Sequence, residues 1–237
     1  MTVIAKEYRK QMGFTSKSVF STYLRAKDIL EPNWTLIEKK NQRLIEIFEK
    51  IQSLLIICEP FSVSSFVRDT TEIVKENDIL PRLNNHGRAV EDVYYNWLQG
   101  YLTEKMFLPL ISETLQCPSI IRHGGDDLAN IESFKRTGDA DLVDHTTKTM
   151  IDVQAGFTGG TFDIKKHKVM KAHENKDYKS FVFFADLMNG TYATVPLLSL
   201  VSETFTPNPR WEGQLCYTVD GNIFQSFCKK TIGDTNE

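Results

Sequence analysis

Two neighbouring stretches decide the reading of this chain: Thr137-Gly138-Asp139-Ala140-Asp141-Leu142-Val143 and, past a polar turn at His145–Lys148, Met150-Ile151-Asp152-Val153-Gln154-Ala155. Both have the β-branched content and alternation of half-buried strands. Successive side chains of a strand point to opposite faces, so Ile151, Val153 and Ala155 share one face while Asp152 and Gln154 share the other. A tight turn between the stretches predicts an antiparallel pair that brings Asp141 close to Asp152. Two carboxylates at close range repel unless a cation sits between them, and a hard divalent ion is their natural neutraliser. The plainer alternative is that Asp139 or Asp141 caps a turn and Asp152 lies on the solvent face of an amphipathic strand.

Working outward, short β-rich segments continue at Ser119–Arg122, Ser180–Ala185 and Tyr192–Pro196, with two weaker ones near Leu215–Val219 and Asn222–Phe227. A basic stretch from Ile164 to Asn175 reads as a helix between the third and fourth strands. Upstream the texture is helical. Leu36, Ile37, Leu44, Ile47, Phe48, Ile51, Leu54 and Leu55 recur with the period of one helix face, and Val63–Glu76 is a second helical stretch. A third runs from Arg88 to Leu115, with Pro109 as a kink or break. The expectation is an α/β protein with a mixed sheet, organised as a helical region over residues 1–86 and a core over 87–237.

The order helix, three strands, helix, strand, with an acid at one strand and acid–apolar–polar on the next, resembles the PD-(D/E)XK nuclease superfamily. The resemblance covers about Arg88 to Pro196. It implies that Asp141 stands for the first acid, Asp152 for the second and Gln154 for the family's lysine, and Ala140 replaces its proline. It further implies that Asp141, Asp152 and the Val153 carbonyl hold Mg²⁺. It also implies an additional acid from the preceding helix, where Glu104 fits by spacing and Glu91 is the competing choice. Glutamine has no charge, though its amide can hold a water by hydrogen bonds. The missing cation can instead come from Lys165, Lys166 or Lys168 on the following helix. The chain's size and helical N-terminal half look most like a type II restriction endonuclease, a homodimer cutting double-stranded DNA. A repair or junction-resolving nuclease, or a DNA-binding protein with a degenerate site, are the alternatives.

Charge and composition set the remaining bounds. With a net charge of −3 the chain is no simple polycation, so nucleic-acid binding needs a local basic face. Ile164–Lys179 holds six lysines against two acids, a local +4 that includes Lys165, Lys166 and Lys168. Phosphate contacts from such a face dominate affinity for DNA. A second basic stretch at the N-terminus, with Lys17 and Arg25 among its cations, is either a DNA-contacting arm or a basic surface helix. Cys58, Cys117, Cys216 and Cys228 form no CxxC pair and the histidines no HxH or HExxH, which disfavours zinc chemistry. Scattered cysteines, a polar N-terminus and no apolar run of about 18 residues point to a cytoplasmic protein without a membrane segment.

Overall fold

The structure, a computed structural model, describes residues 32–83, 88–135, 137–157, 160–209 and 213–229, with positions 7–8, 10–14, 19–20 and 23 nearer the N-terminus. Lys17 and Arg25, expected as DNA contacts, lie outside the described residues.

Helix α1 (Trp34–Leu54) starts where the Asn33 side chain accepts from the Leu36 N–H at 3.0 Å. It buries Ile37, Leu44, Phe48 and Ile51 of the predicted stripe together with Asn41, while Leu36, Ile47 and Leu54 of that stripe are exposed. Ser62 caps α2 (Val63–Glu76) in the same way, accepting from Ser65 N–H at 3.1 Å. Helix α3 (Val90–Leu115) is continuous for 26 residues with Pro109 inside it. The break considered at that proline does not occur. The chain then runs through β1 (Ile121–Arg122), β2 (Leu142–Asp144), β3 (Thr149–Gly156), β4 (Phe162–Lys165), α4 (Lys166–Glu174), β5 (Lys179–Asp186), β6 (Thr191–Pro196), β7 (Thr206–Asn208), β8 (Gln214–Val219) and β9 (Gln225–Ser226).

Six strands form a mixed sheet in the order β1-β2-β3-β5-β6-β9. β2 and β3 are the expected antiparallel pair, turning over a left-handed Lys148. Asp144 closes that turn, its carboxylate accepting from the N–H groups of Thr146 at 2.8 Å, Thr147 at 3.0 Å and Ser119 at 3.0 Å. β3 and β5 are parallel, as a strand–helix–strand crossover through α4 requires. The basic helix begins later than its lysines suggest. Phe162–Lys165 is a strand that joins a second sheet, β4-β8-β7. The alternation of buried Phe162 and Ile164 with Asp163 and Lys165 is the signal for it.

Each face of the large sheet carries its own apolar layer. Ile151, Val153, Phe183 and Ala185 pack with α1, α2 and α3, so the N-terminal helices described here share one core with the sheet. Val182, Phe184, Ala193 and Val195 pack with α4 and the small sheet. Phe107 of α3 is fully buried between Phe183 and Phe227, with ring centroids 5.8 and 5.1 Å away. Phe107→Ala should therefore cost about 3–5 kcal/mol of stability. Urea unfolding checks this, and a loss below about 1 kcal/mol is incompatible with the packing. Among the described residues no helix is long and apolar enough to cross a membrane.

Candidate active site

Asp141 lies one residue before β2, and its Oδ2 accepts from the Val153 N–H at 2.7 Å. That bond moors the first acid against the middle of β3. An extended residue directs its N–H and C=O to the same edge, so the Val153 carbonyl also faces the side where β2 has ended. The last β2–β3 pair is Leu142 with Ile151, and past it the strand edge opens toward Asp141. Asp152, on the other face of β3, is buried and paired through Oδ1 with Lys168 of α4. The sequence alternation and the turn thus bring the two acids together as expected.

Electrostatics agree with that closeness. Burial pushes the Asp141 carboxyl up to about 6, helped by the Asp152 charge and opposed by Lys168 and the Val153 N–H. From α3, Glu104 joins the same neighbourhood. Burial raises it to about 9, and Asp141, Asp126 and Asp127 push the same way, against the pull of Arg122 at 2.6 Å. Arg122 also reaches Asp126 at 3.7 Å and Asp127 at 3.8 Å and lies over the Tyr101 ring at 4.1 Å. Trp97 Nε1 donates to Asp126 Oδ2 at 3.1 Å. Five carboxyl groups here face two cations, Arg122 and Lys168.

A cavity of about 600 Å³ opens between α3, the end of β3 and the small sheet, lined by Glu104, Asp126, Asp141, Val153, Gln154 and Lys168 among others. Asp152 faces a hollow of about 40 Å³ beside it, and Lys168 lines both. Four separate elements converge here: α3, the segment before β2, β3 and α4.

No family model, curated protein or solved structure matches this chain. What the site can do follows from its own residues.

Of the two helix acids considered, Glu104 is at the cavity. Glu91 accepts from Asn33 N–H at 2.8 Å near the start of α1 and does not line it. The lysine patch divides. Lys165 lines the cavity, Lys166 is exposed with its ammonium 5.7 Å from the Phe205 ring, and Lys168 turns inward to Asp152. Lys171 is engaged by Asp139 at 2.7 Å and the Gly138 carbonyl at 2.9 Å. The cluster also includes Arg122, Trp97 and Asp126, which sequence reasoning missed. The available signal was Gly124-Gly125-Asp126-Asp127. A Cβ at Gly124 would come within 2.9 Å of Asp126 Oδ1, and one at Gly125 within 2.7 Å of the Lys135 carbonyl. The contact at Gly125 is with backbone, so that position of the loop requires glycine, whereas at Gly124 the Asp126 side chain could move aside.

The donor set fits a hard cation that keeps most of its water. Among the described residues no three His, Cys, Asp or Glu side chains group to hold a metal ion. Mg²⁺ does not need three, because it is usually bound through one or two carboxylates and retains several waters. Asp141, Asp152 and the Val153 carbonyl supply oxygen donors of that kind.

A pH dependence follows with a definite sign. Asp141 titrates near 6 in the fold against an ordinary 3.8. The raised value favours the metal-free fold fully below about pH 4, and that contribution is lost as pH rises through 6. Without metal, wild type should lose Tm relative to Asp141→Asn between pH 4 and 6.5, and excess Mg²⁺ should restore it by binding the ionised form. A Tm difference that stays constant over this range contradicts the assignment.

Proposed function

We propose that this chain is a Mg²⁺-dependent nuclease of the PD-(D/E)XK type, hydrolysing phosphodiester bonds of double-stranded DNA. One observation carries the reading: Asp141, Asp152, Glu104 and Lys168 converge beside one cavity from α3, the approach to β2, β3 and α4. The order α3, β1, β2, β3, α4, β5, with β3 parallel to β5, supports the reading, and the extra strand β4 before α4 departs from the implied order by joining the second sheet. Asp141, Asp152 and the Val153 carbonyl would hold Mg²⁺. Such an ion would supply a water of lowered pKa and would offset charge developing on the phosphate oxygens.

The chain's own groups do the rest. Lys168 brings a positive charge to Asp152 from α4, in place of the strand lysine that Gln154 replaces. Gln154 lines the cavity and orients water by its amide. Lys165, on the same wall, meets the phosphate backbone, and exposed Lys166 extends that contact. Among the described residues there is one such acid set, so cutting both strands of a palindrome would take a two-fold dimer. Within this class we read a site-specific endonuclease of the type II restriction kind.

The test is direct. Supercoiled plasmid incubated with the protein and Mg²⁺ should yield linear product and discrete fragments, and EDTA should stop the reaction. Sequenced ends at a repeated short site support the site-specific reading, and scattered ends remove it. DNA binding with no cleavage in Mg²⁺ or Mn²⁺ overturns the nuclease assignment.

A further inference from the structure

The C-terminal ends of β3 and β5 carry two large apolar side chains that the fold leaves in solvent. Phe157 follows β3 directly and is 50% exposed, and Met188 sits in the β5–β6 turn and is 69% exposed. They are neighbours. Gly156 pairs with Asp186 in the parallel register, and Leu187 N–H donates to the Gly156 carbonyl at 2.9 Å.

The presentation is fixed by a buried acid that the proposed chemistry does not use. Asp186 is fully buried, and its carboxylate accepts four hydrogen bonds. Oδ1 takes Met188 N–H at 3.1 Å and Asn189 N–H at 3.3 Å, and Oδ2 takes Gly160 N–H at 2.7 Å and the Asn189 amide at 3.0 Å. One carboxylate thus ties the β3–β4 connection to the β5–β6 turn. Gly160 and Gly190, both with positive φ, permit the two bends. With both oxygens satisfied, the buried carboxyl group holds the two connections in a fixed relation.

What the two tips meet is indicated by where they stand. Gly156 and Thr161, on either side of this connection, line the 600 Å³ cavity that holds Asp141 and Gln154. The tips are therefore continuous with the surface where, on the nuclease reading, the DNA lies. Phenylalanine and methionine are among the side chains that proteins insert between base steps to unstack and kink a duplex. We propose that Phe157 and Met188 form such a wedge, entering a base step of the bound DNA several steps from the cut. This rests on the nuclease reading above. Along an extended strand at roughly 3.3 Å per residue, Phe157 stands about 16 Å from Asp152. At 3.4 Å per nucleotide of one strand that is about five steps from the scissile phosphate.

The experiment uses the full chain and a duplex containing the mapped cut site, with 2-aminopurine placed singly at each of the eight steps on either side. In Ca²⁺, wild type should raise the fluorescence at one step near the fifth by severalfold, as the base unstacks. Phe157→Ala with Met188→Ala should abolish that rise and lower cleavage in Mg²⁺ at least tenfold, and Phe157→Trp should retain both. The substituted side chains are exposed, so an unchanged Tm verifies that the variants fold. If wild type cuts DNA but no step brightens, or the double variant brightens and cuts as wild type does, the wedge is wrong and the nuclease reading stands. If wild type neither cuts nor binds DNA, both fall together.

Discussion

Asp141→Asn and Asp152→Asn should each lower Mg²⁺-dependent cleavage by about a thousandfold or more, equivalent to about 4 kcal/mol of transition-state stabilisation. Asparagine is the right probe at Asp141. Its carbonyl can still accept the Val153 N–H, whereas alanine would leave that donor without a partner at a cost of about 1–3 kcal/mol. Any loss with asparagine is then a loss of charge and not of strand geometry. At Asp152 the same replacement leaves Lys168 with a neutral acceptor and removes one of the two carboxylates available to a cation. Binding to DNA in Ca²⁺ should weaken less than cleavage does, because the lysines proposed to meet phosphate are untouched. Single-turnover rates on plasmid at saturating Mg²⁺ are the measurement. Either variant cutting within tenfold of wild type would place the chemistry elsewhere.

How much of this was legible depends on the range of the interaction concerned. The β2–β3 pair and the faces of Ile151, Asp152, Val153 and Gln154 follow from a period-two pattern and a short polar turn, both local. Helices α1 and α2 were readable for the same reason, with Asn33 and Ser62 at their caps. Asp163 and Lys165 flank Ile164 in a strand, yet the lysines that follow belong to a helix, and a uniformly basic stretch hides the switch of period. Proline gave a wrong signal at position 109, because 19 helical residues precede it and its neighbours Phe107, Leu110 and Ile111 are buried. Packing outweighed the local cost there. The long-range partners were the least legible. Arg122 meets Asp126 and Asp127 just downstream in its own segment, but it also reaches Glu104 on α3, and nothing in its own neighbourhood of the chain announces that partner. Spacing favoured Glu104 over Glu91 only weakly, since both occupy α3, and the sheet's placement is what brings Glu104 to the cavity.

Lys168 is where charge and chemistry diverge most from the sequence expectation at Gln154, and it yields the second large effect. Lys168→Met should lower the single-turnover rate at saturating Mg²⁺ by about 100- to 1000-fold, the range seen when one preorganised electrostatic group is removed. Gln154→Ala should cost about tenfold or less, because a neutral amide only helps to orient water. A merely structural ion pair would be distinguished by the metal requirement. Lys168 competes with a cation for the Asp152 carboxylate, so its removal should leave a more negative site that reaches half its maximal rate at lower Mg²⁺. A lower maximal rate together with a lower Mg²⁺ requirement is what a catalytic cation paired to a metal ligand produces. A structural cation would instead show a lowered Tm with the rate per folded molecule unchanged. DNA affinity in Ca²⁺ should change little, and the salt slope should flatten by at most about 0.9, the value for one phosphate contact. Lys168→Arg keeps the charge but not the compact ammonium, and partial recovery of rate is expected from it. If Gln154→Ala abolishes cleavage while Lys168→Met cuts at the wild-type rate, the glutamine has taken the lysine's role and α4 contributes only structure.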